Sequence, residues 1–354
     1  MKIALLNDTH CGVRNSSDVF IEYQRRFYEE VFFPYLLEND IKNIVQLGDY
    51  YDHRKYVNFK ALNENRSHFL EKLREYGITM DIIPGNHDVY YKNTNELCSL
   101  KELMGHYMNE VDIIMEPRVL EYDGCSIALL PWINNQNYAE SLKFINTCKA
   151  PILMGHLELN GFDMMRGVQN THGMEAAVFS RFEKVFSGHF HTKSTQGNIS
   201  YLGSQMEFTW ADAHDPKYFH VFDTKTRELT PVRNTVSIFE KIIYDDDKID
   251  YNSKSVDEYK DKFIKVVVSK KSDTFVFDRF IDRIQDIGVH ELKIAETFDE
   301  FIGENVEIDS SISVEDTTEL LDSYVEAVET DLDKERIKNV MRSLYVEASN
   351  LEIV

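Results

Sequence analysis

Short apolar runs recur along the chain, separated by longer amphipathic stretches, which is the pattern of strands alternating with helices. The runs are Ile3–Leu6, Ile44–Leu47, Met80–Ile83, Ile127–Leu130, Ile152–Met154, Val185–Phe186 and Phe219–Phe222. A helix is predicted over Val19–Leu37 and another over Phe59–Tyr76, closed by Gly77 as its C-cap. Residues 1–225 therefore read as one domain that opens βαβαβ, with a buried and largely parallel sheet. After Asp223 the pattern changes. Ser237–Tyr244, Phe263–Val268 and Val289–Ala295 read as strands and Phe275–Ile287 as a helix ended by Gly288, so residues 226–303 form a small α+β domain. Residues 304–313 are acidic and Ser-containing and read as a linker. Two helices come next within 314–354, Val314–Glu329 and Leu332–Ser349, with Ser313–Asp316 and Thr330–Asp333 as capping pairs. Such a hairpin packs on its own domain or docks on a partner, and the acidic linker before it favours docking.

The chemistry lies just beyond the carboxyl ends of the apolar runs. Asp8-Thr9-His10 succeeds the first, Gly48-Asp49 the second, and Pro84-Gly85-Asn86-His87-Asp88 the third. Gly155-His156 succeeds Ile152–Met154, and Gly188-His189-Phe190-His191 succeeds Val185–Phe186. Sites in open α/β sheets form beyond the carboxyl ends of the strands, so these clusters are expected on one rim. Asp8 and His10 are two apart, as are His189 and His191, and on extended backbone each pair points the same way. The glycines permit tight turns and close backbone approach.

Asp8, His10, Asp49, Asn86, His156, His189 and His191 combine oxygen and imidazole donors without a thiolate. That set suits manganese, iron or zinc better than calcium or copper(I). It is too large for one ion with an open position. Two ions sharing a carboxylate fit better, and phosphate-ester hydrolysis is the characteristic task of such pairs. Asp-x-His or Gly-Asp alone carries little weight, and two histidines on one strand face are common. The order and strand-end placement of all five clusters decide the matter.

Composition changes this picture only in part. The chain has 354 residues, 43% of them hydrophobic, enough for a large domain with appendages. No apolar run approaches the roughly 20 residues of a membrane span, and the amino-terminal run is too short for a signal peptide. Cys11, Cys98, Cys125 and Cys148 form no C-x-x-C pair, which points to a reducing cytoplasm rather than a disulfide framework. The formal charge of −22 argues against strong autonomous DNA binding. The imbalance is worst between Glu296 and Glu335, where Lys334 is the one basic residue, and bound metals would offset carboxylates locally.

These motifs resemble those of the calcineurin-like metallophosphoesterases, D-x-H, G-D, G-N-H-D/E, G-H and G-H-x-H. Within that superfamily the chain is similar to the SbcD-type double-strand-break-repair nucleases, especially the recombination endonuclease subunits of T-even-like phages. The likeness runs through Gly155–Gly161, Ser187–Thr192 and Leu344–Ala348. It implies a fold of two packed mixed sheets flanked by helices, with residues 226–303 as a capping, DNA-binding domain and a C-terminal helical hairpin. It implies one divalent ion on Asp8, His10, Asp49 and His191 and a second on Asp49, Asn86, His156 and His189, manganese before magnesium, iron or zinc. A hydroxide would attack phosphorus, and His87 would protonate the leaving sugar oxygen. Asp88 would orient the turn, Glu158 would orient His156 or cap a helix, and His53 stands near the family's substrate phosphate. Cys11 replaces a larger apolar residue and fills space beside His10.

Arg14, Asn15, Arg54, Lys55, Lys60, Lys92 and Asn93 come directly after the ligand clusters and are candidates for phosphate contacts. Tyr50, Tyr51, Tyr90 and Tyr91 are candidates for stacking on a frayed base, or for plain packing. The resemblance further implies a homodimer, and a carboxyl-terminal segment that docks on an SbcC-like coiled-coil ATPase, in a host cytoplasm if the chain is phage-encoded. Two readings compete with a DNA nuclease: a phosphatase of the same superfamily, and a non-catalytic scaffold. Gly-Asn-His-Asp in place of Gly-Asn-His-Glu speaks against the phosphoprotein branch, and the complete ligand set against the scaffold.

Overall fold

Every one of the seven apolar runs forms a strand, but they are divided between two sheets. The computed structural model describes residues 1–165, 168–296, 325 and 333–349. The strands are β1 (Lys2–Leu6), β2 (Asn43–Leu47), β3 (Thr79–Ile83), β4 (Val111–Ile113), β5 (Arg118–Tyr122), β6 (Cys125–Leu130), β7 (Ile152–His156), β8 (Asp163–Met165) and β9 (Val168–Gln169). They continue as β10 (Lys184–Gly188), β11 (Ser194–Gln196), β12 (Ile199–Tyr201), β13 (Tyr218–Asp223), β14 (Leu229–Arg233), β15 (Phe239–Asp245), β16 (Phe263–Lys270) and β17 (Glu291–Glu296). The first sheet has the order β14-β13-β1-β2-β3-β4 and the second β11-β12-β10-β7-β6-β5. β1 through β4 run parallel, as do β6, β7, β10 and β12, while β13, β14, β5 and β11 join their neighbours antiparallel.

The two sheets share a core. Ile3, Leu5, Val45, Leu47 and Ile83 of the first meet Ile127, Leu129, Ile152, Met154 and Phe186 of the second. Side chains alternate across a strand, so each central strand needs a second apolar set for its other face. On the second sheet that set is Ala128, Leu130, Leu153 and Val185, packed with Ile145 and Phe179. On the first, Phe27 and Phe32 pack edge-on against Phe219 of β13.

Both predicted long helices form, spanning residues 18–38 and 59–76, and each widens to π geometry midway, at Phe27–Phe32 and Arg66–Leu70. Pro34 accounts for the first widening: it has no N–H to donate and its ring crowds the carbonyl four residues earlier. Gly77 ends the second helix at φ 62°.

The chain divides into two compact units, Met1–Phe239 and Glu240–Val354. The first takes in residues that the hydrophobic pattern had grouped with the second, because β14 pairs with β13 along Tyr218–Phe222. In the second unit β15, β16 and β17 form a sheet covered by the helix Thr274–Asp286, whose Phe277, Phe280 and Ile284 pack on Tyr244, Val266 and Val268. Asp273 caps this helix by accepting from the N–H groups of Phe275 and Val276. The final helix covers Lys334–Ser349, and Asp333 caps it: the carboxylate accepts from the N–H groups of Glu335 and Arg336, while Thr330 lies outside the described residues. The expected linker 304–313 and helix 314–329 lie outside the described residues, Val325 excepted. Among the described residues no helix is long and apolar enough to cross a membrane.

Candidate metal centre

The five turns meet. The ligand atoms of Asp8, His10 and His191 lie within 4.8 Å of one another, and so do those of Asp49, His156 and His189. Asp49 stands between the groups, its Oδ2 3.9 Å from His10 Nε2 and 3.3 Å from His156 Nε2. Asn86 Oδ1 completes the second group, 3.0 Å from His156 Nε2 and 2.9 Å from His189 Nδ1.

The route by which they converge differs from the expected one. Asp8 and His10 do not lie on extended backbone. Their φ values are 46° and 44°, with Asp49 at 54° and His189 at 90°, all left-handed. Such backbone is unfavourable for residues with a Cβ and persists where neighbours over-determine it. Here Asp8 N–H donates to Gly48 O, His10 N–H to Asp49 O and Cys11 N–H to Tyr50 O, which zips the loop after β1 to the loop after β2. The Asp8 carboxylate accepts from the His189 N–H and from Asn7 Nδ2. Glycine is required where loops touch: a Cβ on Gly85 would fall 2.2 Å from Asp49 Oδ1, and one on Gly48 2.5 Å from His156 Nδ1.

The donor set is one that a pair of cations fits. His156 Nδ1 gives its proton to Leu47 O, so its Nε2 faces the oxygens of Asp49 and Asn86. His10 Nδ1 lies 3.1 Å from Asp52 Oδ1, so its Nε2 faces His191 Nε2 at 3.1 Å. At both places a proton on the imidazole Nε2 bridges the contact, and a cation in its place would gather the same donor atoms. Burial disfavours charge on His10 and His156, yet Asp52 and Asp49 outweigh it and push both up to about 9. Burial, only partly offset by Asp8, takes His191 down to about 4, and burial with the neighbouring His156 holds His189 well below the usual range.

His87 is half-buried. Its N–H donates to Asp49 Oδ1 and its Nδ1 to the Asp52 carbonyl, which leaves Nε2 as its working end. The Asp88 carboxylate is fully buried and accepts from the N–H groups of Gly85, Tyr50 and Tyr51, tying the turn after β3 to the loop after β2. Burial and the nearby Asp49 raise it to about 7.

Other expectations change. Glu158 neither touches His156, whose partner is Leu47 O, nor begins a helix; its carbonyl accepts from Met174 N–H. Tyr50 and Tyr51 are wholly buried and cannot stack on a base, whereas Tyr90 and Tyr91 are exposed. Arg14 Nε donates to Phe208 O, and Lys60 is paired with Asp18 at 2.6 Å. Asn15, Lys55, Lys92 and Asn93 are exposed and Arg54 is half-buried. His53 lies 3.6 Å from Asp52 and stacks on Tyr56. Cys11 is buried with its thiol on Ala61 O, and burial pushes it up to about 12.

Three residues at the centre are not marked by the motifs. Asp52 serves His10 through its carboxylate and His87 through its carbonyl. Trp132 packs 5.4 Å from the His189 ring and 5.8 Å from that of His156. It lies just past the apolar run Ile127–Leu130, so the strand-end criterion could have found it. Phe208 packs on His10 and His191, and nothing in its neighbourhood in sequence marks it.

Comparison with known proteins agrees with this geometry. Residues 1–193 match the family model described as calcineurin-like phosphoesterase. The chain is 32% identical to exonuclease subunit 1 of Enterobacteria phage T4, covering 99% of this chain and 100% of that one. Among solved structures, an archaeal phosphodiesterase is 14% identical with a TM-score of 0.34, covering 66% of this chain and 99% of its own. A hypothetical protein from Thermus thermophilus is 14% identical with a TM-score of 0.37, covering 66% of this chain and 98% of its own. With five ligand turns brought to one rim and more than half its length matched by the family model, the chain belongs to the calcineurin-like phosphoesterases.

Proposed function

We propose that this protein is a metal-dependent DNA nuclease, a double-strand exonuclease and single-strand endonuclease in recombination and repair. The observation that carries the reading is the position of Asp49. One carboxylate oxygen lies between two groups of ligands, while the other accepts from the backbone of His87, so a scissile phosphate held at the pair lies beside a proton donor. A divalent pair at such a site supplies Lewis-acid polarisation of the phosphoryl oxygens and a hydroxide nucleophile near neutral pH, and manganese suits the donors. This chain's residues do the rest. Asp8, His10, Asp49 and His191 would hold one ion, and Asp49, Asn86, His156 and His189 the other. Asp88 fixes the turn that carries Asn86 and His87. His87, anchored through Nδ1, passes a proton from Nε2 to the leaving sugar oxygen.

The likeness to a phage exonuclease subunit supports DNA as the substrate and a complex as the working form. The expected partners are a second copy of the chain and an SbcC-like ATPase engaged by the carboxyl-terminal helices, in the cytoplasm, which is the host's if the chain is phage-encoded. Purified protein with manganese and linear duplex DNA, with and without the ATPase, tests the reading. Release of nucleotides that Asp49→Asn abolishes is the expected result. Hydrolysis of a small phosphodiester while all DNA stays intact would overturn it.

A further inference from the structure

The loop between Asp49 and the helix beginning at Phe59 carries a second feature beside the phosphate site. Asp52 contacts His10 through one carboxylate oxygen, and its other oxygen lies 3.6 Å from His53 Nε2. The His53 ring lies nearly parallel to that of Tyr56, with centroids 4.5 Å apart and 21° between planes. Tyr56 is 56% exposed and Phe59, three residues on, 88% exposed, the largest value among the exposed large apolar side chains of the described residues. Arg54 and Lys55 lie between the two stacked rings in sequence. An aromatic stack that starts at a metal ligand's partner, opens to solvent and is flanked by cations in a chain of formal charge −22 has the composition of a single-strand platform.

We infer that Tyr56, backed by His53, stacks an unpaired nucleobase of the strand whose phosphate occupies the metal centre. The platform selects ends that are frayed or single-stranded, with Arg54 and Lys55 on the adjoining phosphates. A π-face accepts any base, so the preference is for unpairing and not for sequence. The inference rests on the nuclease reading.

The test uses full-length protein carrying His87→Ser, so that DNA is not consumed, and a duplex with a three-nucleotide unpaired end bearing 2-aminopurine. Stacking on the platform quenches that fluorophore. Adding Tyr56→Ala is expected to remove the quenching and weaken binding about 5- to 150-fold, the range for loss of one base–aromatic stack. Tyr56→Phe is expected to keep both. Lost quenching at unchanged molar mass by light scattering supports the inference. Retained quenching overturns it, and so does lost quenching with a change of mass, which would assign the ring to a contact between copies. Failure of the protein with His87 intact to cut DNA would sink the nuclease reading instead.

Discussion

The Nε2 atoms of His10 and His191 lie 3.1 Å apart, although one ring follows β1 and the other β10. Without a cation, a proton on His10 Nε2 donates to His191 Nε2 across that distance; a bound cation would displace it and take both lone pairs. Asp8, whose Oδ1 is 3.9 Å from His191 Nε2, and Asp49 draw the same kind of occupant. Ligand that binds the folded state alone stabilises it by mass action, about 2.7 kcal/mol at 100 times its dissociation constant. Manganese is therefore expected to raise the melting temperature by several degrees and EDTA to reverse the rise. Asp49→Asn should remove most of the effect. A melting temperature indifferent to manganese would refute the assignment of the centre.

His87→Ser separates binding from proton transfer. Loss of a general acid typically costs about 10²- to 10⁴-fold in kcat, while the manganese-dependent rise in melting temperature is expected to persist. Cutting at the parental rate would show that His87 is not the acid.

Asp52→Asn keeps the backbone carbonyl on which His87 rests and removes the carboxylate facing His10. Outer partners of histidine ligands commonly matter about 10- to 100-fold in metal affinity. The variant is expected to need correspondingly more manganese for half-maximal activity, with a smaller change in kcat at saturation. Equal manganese requirements would show that Asp52 does not position His10.

Gly85→Ala and Gly77→Ala test two different demands on glycine. At Gly85 the new methyl group meets Asp49 at 2.2 Å from Oδ1 and 2.4 Å from its backbone nitrogen, so either loop must shift. Overpacking of this kind costs about 1–3 kcal/mol, and the shift should also abolish activity. At Gly77 nothing lies within 4 Å, and the cost is that of left-handed backbone alone, about 1–2 kcal/mol. Gly77→Ala should therefore destabilise the protein without affecting its activity once folded. Full activity in Gly85→Ala would contradict the contact.

His220 gives a pH signature away from the metal centre. It is fully buried on β13, neither ring nitrogen has a hydrogen-bond partner among the described residues, and burial together with nearby Lys193 pushes it down to about 3. Between that value and about 6.5 the unfolded chain binds a proton that the folded chain does not. Stability is thus unaffected above about pH 6.5 and lost below it, at up to about 1.4 kcal/mol per pH unit. His220→Leu should flatten this limb when urea unfolding is compared at pH 7 and pH 5. Identical slopes in both proteins would show that His220 does not titrate on unfolding.

The sequence by itself determined the seven central strands, the two long helices and the five turns that carry the candidate ligands. Each strand is an apolar run buried on both faces, and each candidate ligand lies within a few residues of a strand end, so both signals are local. Only the tertiary structure decided that the strands divide into two facing sheets, since alternation within a run does not say which neighbour it meets. It also decided that Asp8 and His10 converge through left-handed backbone, which depends on hydrogen bonds to a loop some forty residues away. Tyr50 and Tyr51 show the same limit: tyrosines beside a ligand read alike whether they line the rim or the core. Asp52, Trp132 and Phe208 join the centre by proximity in space, which spacing along the chain does not encode.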